Sequence, residues 1–242
     1  MFYRNLNLSV CLALSLFTLP AHAGISLNTT RVIFDGKSQE ASVVIRNGER
    51  NVLAQSWLEG LAPDSDPPFA LTPSLVKVGA KQQQLLRLIY QGAGLPTDRE
   101  SVLWLNVQEV PEAAANNSLQ FAVRQRIKVF YRPQALPGTA GAAPLALKWK
   151  LSDGAKPSLK IANPSAYHVS MVDVKGSGAD EAPLALETLM IAPGAEVDLP
   201  LRTPAASGTK IVFDCINDYG AREHFEVLLS SNGPSMAIER KP

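Results

Sequence analysis

From Ser118 to Pro133 the chain alternates apolar and polar side chains along nearly its whole length. Extended at about 3.3 Å per residue, such a run would reach roughly 45–50 Å, beyond the usual strand. Leu119, Phe121, Val123, Ile127, Val129 and Tyr131 share one face by parity. Gln120, Ala122, Arg124, Arg126, Lys128 and Arg132 share the other. The Ile127–Tyr131 half reads as a strand over its own core. The Leu119–Val123 half outruns any ordinary sandwich, and exposed alternating apolar side chains on an edge invite a partner.

The rest of the chain agrees with a β architecture. Short alternating runs recur at Val43–Ile45, Leu53–Leu58, Leu85–Tyr90 and Val102–Val107. Turn signals separate them at Asp35-Gly36, Asn47-Gly48, Pro63–Pro68 and Gly92–Pro96. Many short strands with regular turns and no helical period mean an all-β sandwich or barrel. After Pro133, Gln134–Pro144 is mostly Pro, Gly and Ala and reads as a linker or flexible loop. Strand patterns restart at Leu145–Leu151, Ser158–Ala162, His168–Val174, Ala182–Ile191, Val197–Leu201, Lys210–Ile216 and Glu223–Leu229. The spacing predicts a first β domain over 24–133, a linker over 134–143, a second β domain over 144–235 and a loose tail over 236–242.

Residues 1–23 form a separate unit. Arg4, the apolar stretch Leu8–Leu19 and Ala21-His22-Ala23 have the order of a cleaved signal peptide, and the apolar stretch is too short to span a bilayer. Export implies a periplasmic protein without membrane insertion. Loss of Arg4 from 23 basic residues leaves a balance with the 22 acidic ones, so charge offers no argument for nucleic acid or anionic membrane. Cys11 leaves with the signal peptide. Cys215 then has no intramolecular partner and reads as a small core hydrophobe. No H-E-x-x-H, G-x-S-x-G or phosphate-loop pattern appears, and no metal-ligand cluster. His168 and His224 read as surface residues, and a Cys215–His224 nucleophile pair is the sole enzymatic alternative. The expectation is a protein that is not an enzyme and uses no cofactor or metal.

Three stretches carry a family resemblance: Thr30–Gly36, Leu95–Pro111 and Leu119–Pro133. Leu95-Pro96-Thr97-Asp98-Arg99-Glu100-Ser101-Val102-Leu103-Trp104 runs from a charged turn into a strand. Together with Asn217-Asp218-Tyr219-Gly220 it resembles the periplasmic pilus-assembly chaperones of the chaperone–usher pathway. The resemblance implies two immunoglobulin-like β-sandwich domains in a bent, boomerang arrangement with an interdomain cleft. It implies that the chaperone folds and caps pilin subunits by lending them a strand, then delivers them to an outer-membrane usher. By position, Leu119, Phe121 and Val123 would fill the subunit groove, each burial contributing roughly 1.5–3 kcal/mol. Arg31 and Lys128 would grip the subunit's C-terminal carboxylate. Glu100, Arg132 and Asp218 would form an interdomain ion network. Many relatives carry a disulfide late in the second domain, which this chain cannot form. Self-association of the free protein stays open. The alternative is a structural fimbrial subunit or two-domain adhesin, but a subunit would carry a free N-terminal extension and lack the basic pair.

Overall fold

A computed structural model describes residues 24–60, 66–110, 122–152, 158–176, 188–201, 207–230 and 233–240. Residues 1–23, read above as a signal peptide, and Leu119 and Phe121 lie outside the described residues. Among the described residues nine strands precede residue 134: β1 (Ser26–Leu27), β2 (Arg31–Asp35), β3 (Glu40–Arg46), β4 (Val52–Glu59), β5 (Phe69–Thr72), β6 (Leu75–Val78), β7 (Gln83–Tyr90), β8 (Ser101–Val110) and β9 (Arg124–Arg132). They make two sheets, ordered β1-β3-β7-β5 and β2-β9-β8-β4-β6. The inward positions follow the two-residue period. Val43 and Ile45 of β3 and Leu86 and Leu88 of β7 meet Leu103, Leu105 and Val107 of β8 and Val129 of β9 in one core.

A second core lies beyond the linker. Its strands are β10 (Lys148–Ser152), β11 (Ser158–Ala162), β12 (Val169–Gly176), β13 (Leu189–Ile191), β14 (Glu196–Pro200), β15 (Lys210–Ile216), β16 (Arg222–Leu228), β17 (Ser235–Met236) and β18 (Ile238–Glu239). They form the sheets β14-β11-β10-β17 and β13-β12-β15-β16-β18. Trp149 is fully buried between them, its ring 4.9 Å from that of Phe213. A buried aromatic pair of this kind contributes about 0.5–1.5 kcal/mol beyond its area burial. The chain is thus all-β with two domains.

Several sequence expectations shift in detail. The stretch read as a flexible linker is packed: Leu136 and Ala140 lie against the second core, and Tyr167 Oη donates to Gly138 O at 3.1 Å. Leu145–Leu151 begins as helix, not strand. The short helix α1 (Ala143–Ala146) carries Pro144 in its first turn, where a missing amide hydrogen costs nothing, and β10 starts only at Lys148. Of Ala182–Ile191, Leu189–Ile191 is strand and 182–187 lies outside the described residues. The tail is not loose as far as Glu239, because Met236 pairs with Lys148 and Ile238 with Glu226. Strand β9 begins at Arg124. Its ladder with β8 reaches one residue further, where Glu109 N donates to Val123 O at 3.0 Å.

Candidate functional site

Strand β2 runs parallel to β9, and the register places Arg31 directly opposite Lys128. Neighbours in register share a face, so both cations project to the same side of the sheet, away from the first core. Parity puts Phe130 and Arg132 there too, with Val102 and Trp104 on β8. At the Phe130–Arg132 end this face meets the second domain. Arg31, Phe130, Arg132, His168, Asp218 and Tyr219 border a cavity of about 240 Å³ between the domains.

Arg31 is half-buried. Its Nη1 donates to Ile216 O of β15 at 3.0 Å, and its guanidinium sits 5.9 Å from the Phe130 ring centroid. Its Nε is buried without a hydrogen-bond partner. Lys128 places Nζ 5.7 Å from the Trp104 ring, and among the described residues no carboxylate pairs with it. Burial lowers the pKa of both groups, and the charge of Arg31 lowers that of Lys128 further. Two cations pressed together with an unfilled donor form a site that an anion would relieve. Arg presents a planar fork and Lys a compact charge, a pairing suited to a carboxylate.

Arg132, four residues along β9, lives differently. Its Nε donates to Glu100 Oε2 at 2.6 Å, and its Nη1 and Nη2 donate to Asp218 Oδ2 and Oδ1 at 2.6 and 2.7 Å. Burial by itself would lower the Arg132 pKa. The Asp218 hydrogen bonds and the nearby Glu100 charge outweigh it and leave the guanidinium more firmly protonated than usual. Glu100 is 2 % exposed. The three expected residues therefore come together and bridge the domains.

His168 is a fourth member that the sequence did not single out. Read as a surface residue, it is instead buried: Glu100 Oε1 accepts from His168 N at 2.9 Å and lies 2.9 Å from His168 Nδ1. Glu100 N donates to Ala166 O at 2.9 Å, so two segments far apart in the chain are strapped together. No local pattern signals such a contact, because its two ends belong to different domains. The turn carrying Asp218 is equally fixed. Asn217 Oδ1 accepts from Tyr219 N and Ala221 N at 3.0 and 2.9 Å. Gly220 has φ +82°, and a Cβ there would collide with Thr30 Oγ1, so glycine is required where the domains touch.

Of the strand-lending residues only Val123 is described, and it is 49 % exposed. The Cys215–His224 pair is excluded by geometry and charge. Cys215 faces the second core, while His224 is paired across the strands with Asp214 and bonds it at 2.7 Å on the opposite face. Burial, with help from Glu223 and Asp214, pushes the Cys215 thiol far up, leaving it a poor nucleophile. Among the described residues no cluster of metal-ligating side chains occurs, and no helix is long and apolar enough to cross a membrane.

Comparison with known proteins places this geometry. Residues 24–137 match the model of the pili and flagellar-assembly chaperone PapD N-terminal domain, and residues 142–226 match the pili assembly chaperone PapD C-terminal domain. The probable fimbrial chaperone YadV of Escherichia coli is 38% identical over 222 residues, spanning 84% of this chain and 89% of that protein. The crystal structure of the YadV chaperone superposes with a TM-score of 0.72 at 35% identity, covering 90% of this chain and 100% of that one. A chain of the Salmonella enterica complex between the SafA pilin and the SafB chaperone gives a TM-score of 0.73 at 25% identity, with 87% and 99% covered. These are chaperones, not enzymes. Two domains of this fold, joined through the Glu100–Arg132–Asp218 bridge, identify the chain as a member of the PapD-like family of pilus-assembly chaperones of the chaperone–usher pathway.

Proposed function

We propose that this protein is a periplasmic chaperone that captures pilin subunits by donor-strand complementation and hands them to an outer-membrane usher. The observation that carries the reading is the Arg31/Lys128 pair: two half-buried cations in register, with neither in an ion pair to a carboxylate among the described residues, Asp218 and Glu100 acting on Arg31 only as nearby charges. A chain terminus bound there would set the register of everything that follows along β9. Register matters because a one-residue slip turns every side chain to the wrong face. From Lys128 the strand leads to Val123 and on to Phe121 and Leu119, which would fill alternate pockets of the subunit's groove. The order of residues 1–23 supports export. Domain limits of 24–133 and 144–235, with the 134–143 connection packed against the second core, suit a fixed cleft.

The test is a pull-down of tagged mature protein from its host's periplasm beside the Arg31→Ala/Lys128→Ala variant. A stoichiometric pilin-type partner with wild type, missing with the variant, is expected. Equal capture by both would remove the carboxylate anchor. Phe121→Glu, which leaves the cleft intact, should lose the subunit through the groove; undiminished capture would remove the donor-strand assignment.

A further inference from the structure

The outer face of the β2-β9-β8-β4-β6 sheet falls into two halves. Near the second domain, Val102 and Phe130 are buried and Arg132 is bonded across the interface. From Lys128 toward Arg124 the same face is open. Here cations lie over indoles: the Arg126 guanidinium is 4.4 Å from the Trp104 ring centroid, and Arg124 is 5.9 Å from that of Trp57. One carboxylate ties the array together. Glu59 accepts from Trp57 Nε1 at 2.8 Å and from Arg126 Nη2 at 2.7 Å. Asn106, opposite both Trp57 and Arg126, is fully buried, and its side chain adds to the polar contacts that lower the Glu59 pKa. Among the described residues no carboxylate pairs with Arg124, so Lys128, Arg126 and Arg124 face Glu59 alone.

We propose that Trp57, Trp104, Arg124 and Arg126 form a docking platform for a carboxylate-bearing face of the pilin subunit. This rests on the reading of Arg31 and Lys128 as the anchor for that subunit's terminus. A partner anchored at Lys128 and paired as far as Val123 runs roughly 16 Å along β9. A folded domain is wider than that, so where it spreads past β9 on this face it meets the flanking β8 and β4. What it meets there is a surface with its side chains already held: Arg126 close over Trp104 and tied to Glu59, and Trp57 tied to the same carboxylate. Guanidinium groups held against indoles can still offer unused N–H donors to carboxylate oxygens. Placed around the anchor and not in it, these charges act on encounter and partner choice more than on holding. The anchor and lent strand would serve any subunit. The platform would select those with acidic surface beside the groove.

The probe is the pilin subunit recovered with the wild-type chain, identified by mass, unfolded in denaturant and presented during refolding. Wild type should associate faster at low salt than at high salt, and binding should shield Trp57 and Trp104 from iodide quenching. Arg124→Glu should slow association at low salt by about tenfold or more and flatten the salt dependence, with dissociation little changed. Arg124→Glu/Arg126→Glu should do so further; Arg124→Glu alone leaves the Glu59 bond in place, so a folding defect in the double variant does not decide the matter. Wild-type rates at every salt for Arg124→Glu would overturn the platform. Unshielded indoles in the bound state would also overturn it. Charge-dependent binding to anionic phosphatidylglycerol vesicles with unchanged subunit kinetics would reassign the face to lipid. Capture that survives Lys128→Ala but slows in Arg124→Glu would break the anchor while keeping the platform.

Discussion

Arg132 and the Arg31/Lys128 pair sit four residues apart along the same sheet face, yet they are opposite cases. Arg132 donates to two carboxylates and is driven toward permanent charge. Among the described residues Arg31 and Lys128 have no such ion pair; burial weakens the hold of both on their protons, against the opposing pull of Asp218 and Glu100 on Arg31, and the Arg31 charge weakens that of Lys128 further. A partly buried cation already tied to two carboxylates is a structural joint, because its charge is met within the chain. A half-buried cation with an unused donor retains an unmet electrostatic demand, and a ligand can meet it. Two features decide between them: whether the carboxylates come from the chain itself or from outside, and whether they are present already.

The sharpest way to break that contrast is Arg31→Ala/Lys128→Ala, which should abolish subunit capture while the urea midpoint of the free chain stays near wild type or rises. A collapsed midpoint would make the pair structural like Arg132. Next in size is Arg132→Ala. It leaves Glu100 buried and short of its main cationic partner, so unfolding free energy should fall by about 3–5 kcal/mol, measured in urea. A loss under about 1 kcal/mol would mean the bridge is not a joint. His168→Phe keeps the ring packed near Phe130 but removes the Nδ1 contact to Glu100, leaving the backbone donor in place. About 1 kcal/mol should be lost, and a neutral result would assign the strap to the backbone alone.

The smallest effect has the most telling sign. Lys128→Met should stabilise the free chain slightly at neutral pH, because the folded state disfavours the charged lysine. Below its native pKa the full cost of that charge is present. As pH rises between that lowered value and the ordinary 10.5, the unfolded chain keeps more protons than the native one, so wild type gains stability and the gap to Lys128→Met closes. Thermal melts across that range check it. A gap that widens with pH would mean the folded state favours the charge, with a hidden carboxylate as the reason.

Much of this was legible before any coordinates. Strict alternation over β8 and β9 fixed strand type, inward residues and the face shared by Lys128, Arg126 and Arg124, since a strand's period depends on backbone geometry alone. The family resemblance supplied Glu100, Arg132 and Asp218, and the structure brought them within hydrogen-bond reach. Local composition misled where packing overrode it. Gln134–Pro144 looked flexible because Pro, Gly and Ala offer little to bury, yet Leu136 and Ala140 lie on the second core. His168 looked exposed because polar residues on strands usually are.

Sequence by itself determined the β character, the two domains and the chemistry available along each strand, because those follow from side-chain period and turn residues. Only the tertiary structure decided that β2 lies parallel to β9 and so sets Arg31 beside Lys128. It alone decided that Glu100 is shared between Arg132 and His168, and that cations lie on Trp57 and Trp104. These are contacts between residues far apart in the chain. Their energy depends on which groups are left without a partner after folding, and no local pattern records that.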